Sequence, residues 1–140
     1  MKLKESDIEY IESSFKTICE HSELFAETFY DCLFDLSPIL IPMFKKDRSI
    51  QVKHFIMLLI SAVHNIRRED EHDKLLRDLG KKHRNHGVKI EHFPVVKSAF
   101  MLALQYEFKS EFTPEIERAW SNYYDYLSEA MIVGLTAGNE

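Results

Sequence analysis

A chain of 140 residues with 45% hydrophobic and 12% aromatic content suits one compact domain over 1–140, and it can bury roughly 70% of the surface that its unfolded form exposes. An acidic excess, 23 Asp and Glu against 18 Lys and Arg for a net charge of −5 and a pI near 5.8, excludes a global bias toward nucleic acid. The longest apolar stretch, Phe55 to Val63, is nine residues long and too short to span a bilayer, and Met1–Ser6 lacks the apolar centre of a secretory signal. Cys19 and Cys32 have no metal-ligand spacing and lie among apolar residues. They read as buried free thiols in a reducing compartment, with a disulfide as the alternative and the cytoplasm as the default location.

In chain order, Ser6-Asp7-Ile8-Glu9 has the form of a capping box, and Ile8, Ile11, Phe15 and Ile18 follow on one helical face. A second helix is expected from Ser22, with Phe25, Phe29, Leu33 and Leu36 as its stripe and Tyr30 beside it. Ser37-Pro38 ends it, because the residue before proline resists the helical region. After Phe44 the polar Lys45-Lys46-Asp47-Arg48 leads to Ser49 as a cap. The next helix, to about Ile66, is apolar almost all round, which predicts burial on several sides. Arg67 to Asp73 is charged or histidine throughout and reads as a solvated connection or frayed helix start. Leu75, Leu76 and Leu79 carry a shorter helix that ends near Asn85-His86-Gly87, with Gly87 suited to a left-handed cap. Pro94 belongs to the first turn of a helix reaching Phe108. Thr113-Pro114 caps and opens the last helix, which carries Ile116, Ala119, Trp120, Tyr123, Leu127, Ala130 and Met131 at helical spacing. No strand alternation or repeat is present, so the class is all-α with about six or seven helices.

Periodicity leaves several residues unexplained. Of the seven histidines, His21, His64, His72, His86 and His92 lie in polar surroundings or near helix ends and read as solvated or capping residues. His83 differs: Leu76 and Leu79 precede it by seven and four positions, so it continues the buried face of its helix. A lone histidine there is ordinarily a satisfied core residue, and metal ligation is the alternative. Tyr30 on an aromatic face and Gln51 in an apolar helix each demand a polar partner or water. Taken with Phe44, they suggest an apolar cavity holding a few directed polar groups, which describes a cofactor pocket.

The segment Thr28-Phe29-Tyr30, with Pro38 eight residues after Tyr30 and Phe44 six after Pro38, resembles the second helix and corner of bacterial single-domain globins and flavohaemoglobin haem domains. Leu79-Gly80-Lys81-Lys82-His83-Arg84-Asn85-His86-Gly87-Val88 resembles the proximal segment of those globins and of neuroglobins. Glu91-His92-Phe93-Pro94 and Ala119-Trp120 with Tyr124 follow the same pattern, so the resemblance covers essentially the whole chain. It implies a globin fold around haem b, with His83 as proximal iron ligand, Phe44 stacked on the porphyrin, Tyr30 as distal donor and Gln51 as the distal polar residue. Phe55 would press on the ligand pocket, and Leu79, Val88 and Phe93 would border the cofactor. His54, three residues after Gln51, either points past the haem edge toward solvent or supplies a sixth iron ligand. Lys46, Arg48 and Arg84 would stand near the propionates.

The function so implied is reversible binding of oxygen, with nitric oxide and carbon monoxide as further ligands, and Tyr30 and Gln51 would slow oxygen release. Two features depart from the flavohaemoglobin pattern. The supporting tyrosine position, ten residues past the proximal histidine, is Phe93, and the supporting glutamate position, fifteen past the last-helix tryptophan, is Leu135. Weak proximal support favours a binder over a nitric oxide dioxygenase working with an external reductase. A haem-based gas sensor and a haem-free signalling module of the same fold remain as alternatives.

Overall fold

The computed structural model describes residues 3–137. Among them are six α-helices: α1 (Glu5–Glu20), α2 (Ser22–Leu36), α3 (Arg48–His64), α4 (Glu69–Asn85), α5 (Phe93–Phe108) and α6 (Pro114–Thr136). Short 3-10 turns occupy Pro38–Met43, Ile90–His92 and Lys109–Glu111, and there is no strand among the described residues. The all-α class and the number of helices are as the sequence predicts.

The punctuation follows local chemistry. Helix α2 opens at Ser22 and stops at Leu36, where the Ser37 N–H bonds the Leu33 carbonyl ahead of Pro38. Helix α4 ends before Gly87, whose φ of +81° is a left-handed conformation that glycine adopts without penalty. The Thr113 hydroxyl accepts from the Ile116 amide, with Pro114 at the first helical position of α6.

Three boundaries differ from expectation. Ser6 caps nothing: α1 begins two residues earlier than a Ser6 cap requires, after Lys4 and without a side-chain cap, while Asp7 is buried and accepts from Asn122 Nδ2 at 3.1 Å. Helix α3 starts at Arg48, with Asp47 in the cap position expected of Ser49. It is also less buried than its composition suggests, because α1, α2 and α4 do not cover one flank; Met57 is 66% exposed, with Ile50 and Ile60 exposed beside it. The charged run divides, since α4 begins at Glu69. Glu69, Asp70 and Glu71 fill its first turn, where the helix dipole favours anions. Arg67 reaches back to Glu5 and Glu12 of α1. Both cysteines are free, but Cys19 is exposed and Cys32 half-buried, because Ile18 takes the core-facing position beside Cys19.

The aromatic core runs from α2 to α6. Phe25 and Phe29 meet Phe100 of α5, Phe100 meets Trp120 at a ring separation of 5.7 Å, and the Trp120 indole N–H donates to Ser14 Oγ of α1 at 2.8 Å. Helices α4 and α6 cross by direct backbone contact. A Cβ on Gly80 would collide with the Met131 carbonyl, and a Cβ on Gly134 with the Arg77 carbonyl. One glycine on each helix therefore permits this approach, and Leu76 is sealed beside it.

The same interface corrects the reading of His72, which is 2% exposed and not solvated. Its Nε2 pairs with the Tyr123 hydroxyl at 2.8 Å, while Tyr126 donates to Asp73 at 2.7 Å alongside. Burial holds the His72 imidazole below its usual pKa, and Asp73 opposes that shift only in part.

Gly80→Ala and Gly134→Ala are expected to cost at least about 2–3 kcal/mol each, since backbone would have to move. Urea denaturation of each variant measures this. His72 gives a pH dependence of defined sign. Its folded pKa lies below its unfolded value, so its neutral form carries no penalty above about pH 6.5, and below that the unfolded chain takes up the proton first. Stability therefore falls as the pH drops from about 6.5 toward 5. His72→Gln, which can still bond Tyr123, is expected to flatten that slope in urea titrations repeated across the range.

Candidate functional site

The last turn of α4 presents His83, half-buried. Its Nδ1 lies 2.8 Å from the Leu79 carbonyl. A carbonyl oxygen only accepts, so Nδ1 carries the hydrogen and donates, and Nε2 is left with a bare lone pair. Burial lowers the imidazole pKa; the Leu79 bond opposes that shift and nearby His86 adds to it. The ring is therefore neutral and fixed in orientation, which is the form that ligates a metal. Gly87 reverses the chain, and the Val88 amide bonds the His83 carbonyl at 3.2 Å, closing the turn. Leu79 and Val88 flank the histidine in sequence and are half-buried.

No side chain supports the imidazole. Among the described residues the Leu79 carbonyl is its only hydrogen-bond partner. Phe93 opens α5 and offers its carbonyl to the Tyr124 hydroxyl at 2.8 Å, while Leu135 is buried and apolar. Beside His83, Arg84 holds a buried Nη1 with no hydrogen-bond partner.

A second cluster forms where α2, the Pro38–Met43 turn and α3 meet. Tyr30 is 5% exposed, and its ring lies 5.6 Å from Phe44, 5.9 Å from Phe55 and 6.0 Å from Phe34. Phe44 stands edge-on to both Tyr30 and Phe34, and Phe55 stacks on Phe29 with centroids 4.5 Å apart. The aromatic walls are thus Phe29 and Phe34 as much as the predicted Phe44 and Phe55. Phe34 lies one turn beyond Tyr30, and that spacing could have revealed it.

Inside this cluster the Tyr30 hydroxyl donates to the backbone carbonyl of Gln51 at 3.3 Å, a long bond. Burial pushes the phenol pKa up to about 12, with Arg48 pulling the other way. The Gln51 side chain is half-buried and makes no hydrogen bond among the described residues. Tyr30, Gln51, Phe44 and Phe55 are therefore brought together. His54 is exposed. His83 shares no hydrogen bond with the Tyr30 cluster among the described residues, and the two groups sit on separate elements.

The predicted cations divide differently. Lys46 is exposed. Arg48 turns toward α2, where its Nε and Nη2 bind Glu27 and Asp31. Arg84 alone keeps an unpaired buried nitrogen. The groups present fit a haem: a neutral, pinned imidazole with a free Nε2, an unpaired guanidinium nitrogen for a carboxylate, and an aromatic cluster with one hydroxyl. No group of three or more His, Cys, Asp or Glu that could hold a bare metal ion occurs among the described residues. No helix among them is long and apolar enough to cross a membrane.

Comparison with known proteins supports the same direction. The family model described as Globin matches residues 27–131. A flavohemoprotein of Bacillus subtilis (strain 168) is 29% identical over 133 residues, which cover 93% of this chain but only 33% of that protein. An uncharacterized globin-like protein of Aquifex aeolicus (strain VF5) is 27% identical over 93% of this chain and 92% of its own length. Among solved structures, a bacterial globin from Campylobacter jejuni superposes with a TM-score of 0.84 at 21% identity, covering 98% of this chain and 100% of that one.

Proposed function

The chain belongs to the globin family, whose members imply a haem cofactor, and on that premise we propose that it holds haem b through His83 and reversibly binds oxygen, with nitric oxide and carbon monoxide as further ligands. The observation that carries this reading is the His83 imidazole, neutral and pinned through Nδ1 to the Leu79 carbonyl with Nε2 free. Haem supplies an iron with one coordination position open to a diatomic ligand. Everything else is asked of the chain.

In this reading His83 Nε2 is the proximal ligand, and the backbone bond at Nδ1 sets the ring plane and tautomer. Leu79, Val88 and Phe93 border the cofactor, Phe44 stacks on it, and Phe55 presses on the ligand side. Arg84, with its unpaired nitrogen, suits a propionate. Tyr30, whose hydroxyl holds only a long bond to the Gln51 carbonyl, would be the donor to a bound ligand, and the Gln51 amide would provide a second. Oxygen draws partial negative charge when it binds, and a donor to such charge contributes about 1.5–3 kcal/mol. Carbon monoxide gains less from the same donors.

The alternative of a nitric oxide dioxygenase served by an external reductase is motivated by the likeness to the flavohemoprotein. The proximal side speaks for the binder. A backbone carbonyl is a weaker acceptor than a carboxylate, so His83 receives less electron density to pass on to iron.

Two outcomes test this reading. His83→Ala is expected to remove stable haem, seen as loss of the Soret band after reconstitution and gel filtration; a ferrous spectrum unchanged from wild type would refute the proximal role. Tyr30→Phe is expected to speed oxygen release roughly ten- to a hundredfold, measured by stopped-flow displacement with carbon monoxide. An unaltered rate would remove Tyr30 from the ligand.

A further inference from the structure

We infer that Arg48 is a positioning residue for ligand retention: it fixes the Tyr30 ring and the first turn of α3 in one register and so sets how well the Tyr30 hydroxyl reaches a bound ligand. This rests on the reading of Tyr30 given above. Arg48 is the first residue of α3, three positions before Gln51. Its guanidinium grips α2 by three bonds: Nε to Glu27 Oε1 at 2.8 Å, Nη2 to the Glu27 carbonyl at 2.8 Å, and Nη2 to Asp31 Oδ1 at 2.7 Å. The same group lies 5.7 Å from the centroid of the Tyr30 ring. No other ion pair joins α2 to α3 among the described residues.

Stability does not account for this grip. Arg48 is 39% exposed and its carboxylate partners are 44% and 69% exposed, and pairs this open contribute little to folding. Geometry accounts for it better. Glu27, Tyr30 and Asp31 are neighbours at i, i+3 and i+4 on α2, so a guanidinium bonded to both carboxylates stands beside them over the Tyr30 ring. The Gln51 carbonyl, which accepts the Tyr30 hydrogen bond, rides on the turn that Arg48 anchors. One side chain therefore governs the ring that carries the donor and the acceptor that competes for it. A cation over the ring also makes the phenol a better donor to negative charge, though Glu27 and Asp31 offset part of that field.

The test is a double-mutant cycle on the full haem-loaded chain, reading oxygen release by stopped flow and the stretching frequency of bound carbon monoxide. Arg48→Gln is expected to speed release roughly two- to fivefold and to move the carbon monoxide band toward its position in Tyr30→Phe. In the Tyr30→Phe background the same change is expected to alter neither. Arg48→Lys, which keeps the charge but not the forked grip, should fall between. Glu27→Gln combined with Asp31→Asn, which leaves Arg48 in place, should reproduce Arg48→Gln. Equal effects of Arg48→Gln in both backgrounds, or no effect when Tyr30 is present, would overturn the inference. If Tyr30→Phe leaves release unchanged, the ligand role of Tyr30 fails and this inference with it. If Tyr30→Phe speeds release and Arg48→Gln does not, only the role of Arg48 fails.

Discussion

The contact on which the rest of this structure depends is the crossing of α4 on α6 at Gly80 and Gly134. Each glycine admits the other helix's backbone, at the Met131 and Arg77 carbonyls respectively. Helix α4 is strongly polar, so side-chain burial alone gives it few anchors: Leu76, Gly80 and His72 are its buried residues. Backbone approach supplies what a wider apolar face would otherwise provide. Beyond the crossing α4 runs three more residues to His83, and the Nδ1 bond to the Leu79 carbonyl is internal to that turn. The orientation of the imidazole is thus set by the helix, and the position of the helix by two glycines.

The Tyr30 cluster is organised by different means. Tyr30, Phe34, Phe44 and Phe55 come from two helices and the turn between them, and they hold each other by ring contacts at 5.2–6.0 Å. Rings of that size and rigidity fill space with little loss of rotamer freedom. The one polar group among them is the Tyr30 hydroxyl. A hydroxyl buried without a partner would cost about 1–3 kcal/mol, and the Gln51 carbonyl at 3.3 Å meets that need loosely.

What could be read in the sequence was whatever is decided within a few residues. Ser22, Ser37-Pro38, Gly87 and Thr113-Pro114 act on their own neighbours, and each marks its helix end where expected. The stripes of α2 and α6 follow the same rule, since helical spacing alone places Phe25, Phe29 and Leu33 on one side, although Leu36, at the end of the predicted α2 stripe, is 47% exposed. What could not be read depends on partners far along the chain. His72 sits in a charged run, and the Tyr123 that makes its burial tolerable is 51 residues away. Arg48 looks like any loop cation until Glu27 and Asp31, 21 and 17 residues earlier, are seen beside it. Ser6 has the right residues after it for a capping box, yet Asp7 is drawn into contact with Asn122 of α6 and the helix starts two residues sooner. The aromatic cluster divides in the same way: that Tyr30, Phe44 and Phe55 belong together was legible, and the second duty of Gln51, its backbone carbonyl, was not.

That second duty bears on how such a pocket can be tuned. A phenol has one proton to give, and a ligand must compete for it with whatever acceptor already holds it. A short, strong resting bond would keep the donor from the ligand. No bond at all would leave a buried hydroxyl unsatisfied and invite water. A long bond to a backbone carbonyl lies between these limits, and no side-chain replacement at Gln51 would remove it. The separation of Tyr30 from that carbonyl follows from how α3 rests on α2, and the exposed forked grip of Arg48 is the ion-pair connection between them among the described residues. Retention of a ligand deep in the core can then depend on carboxylates at the surface without any of them touching it.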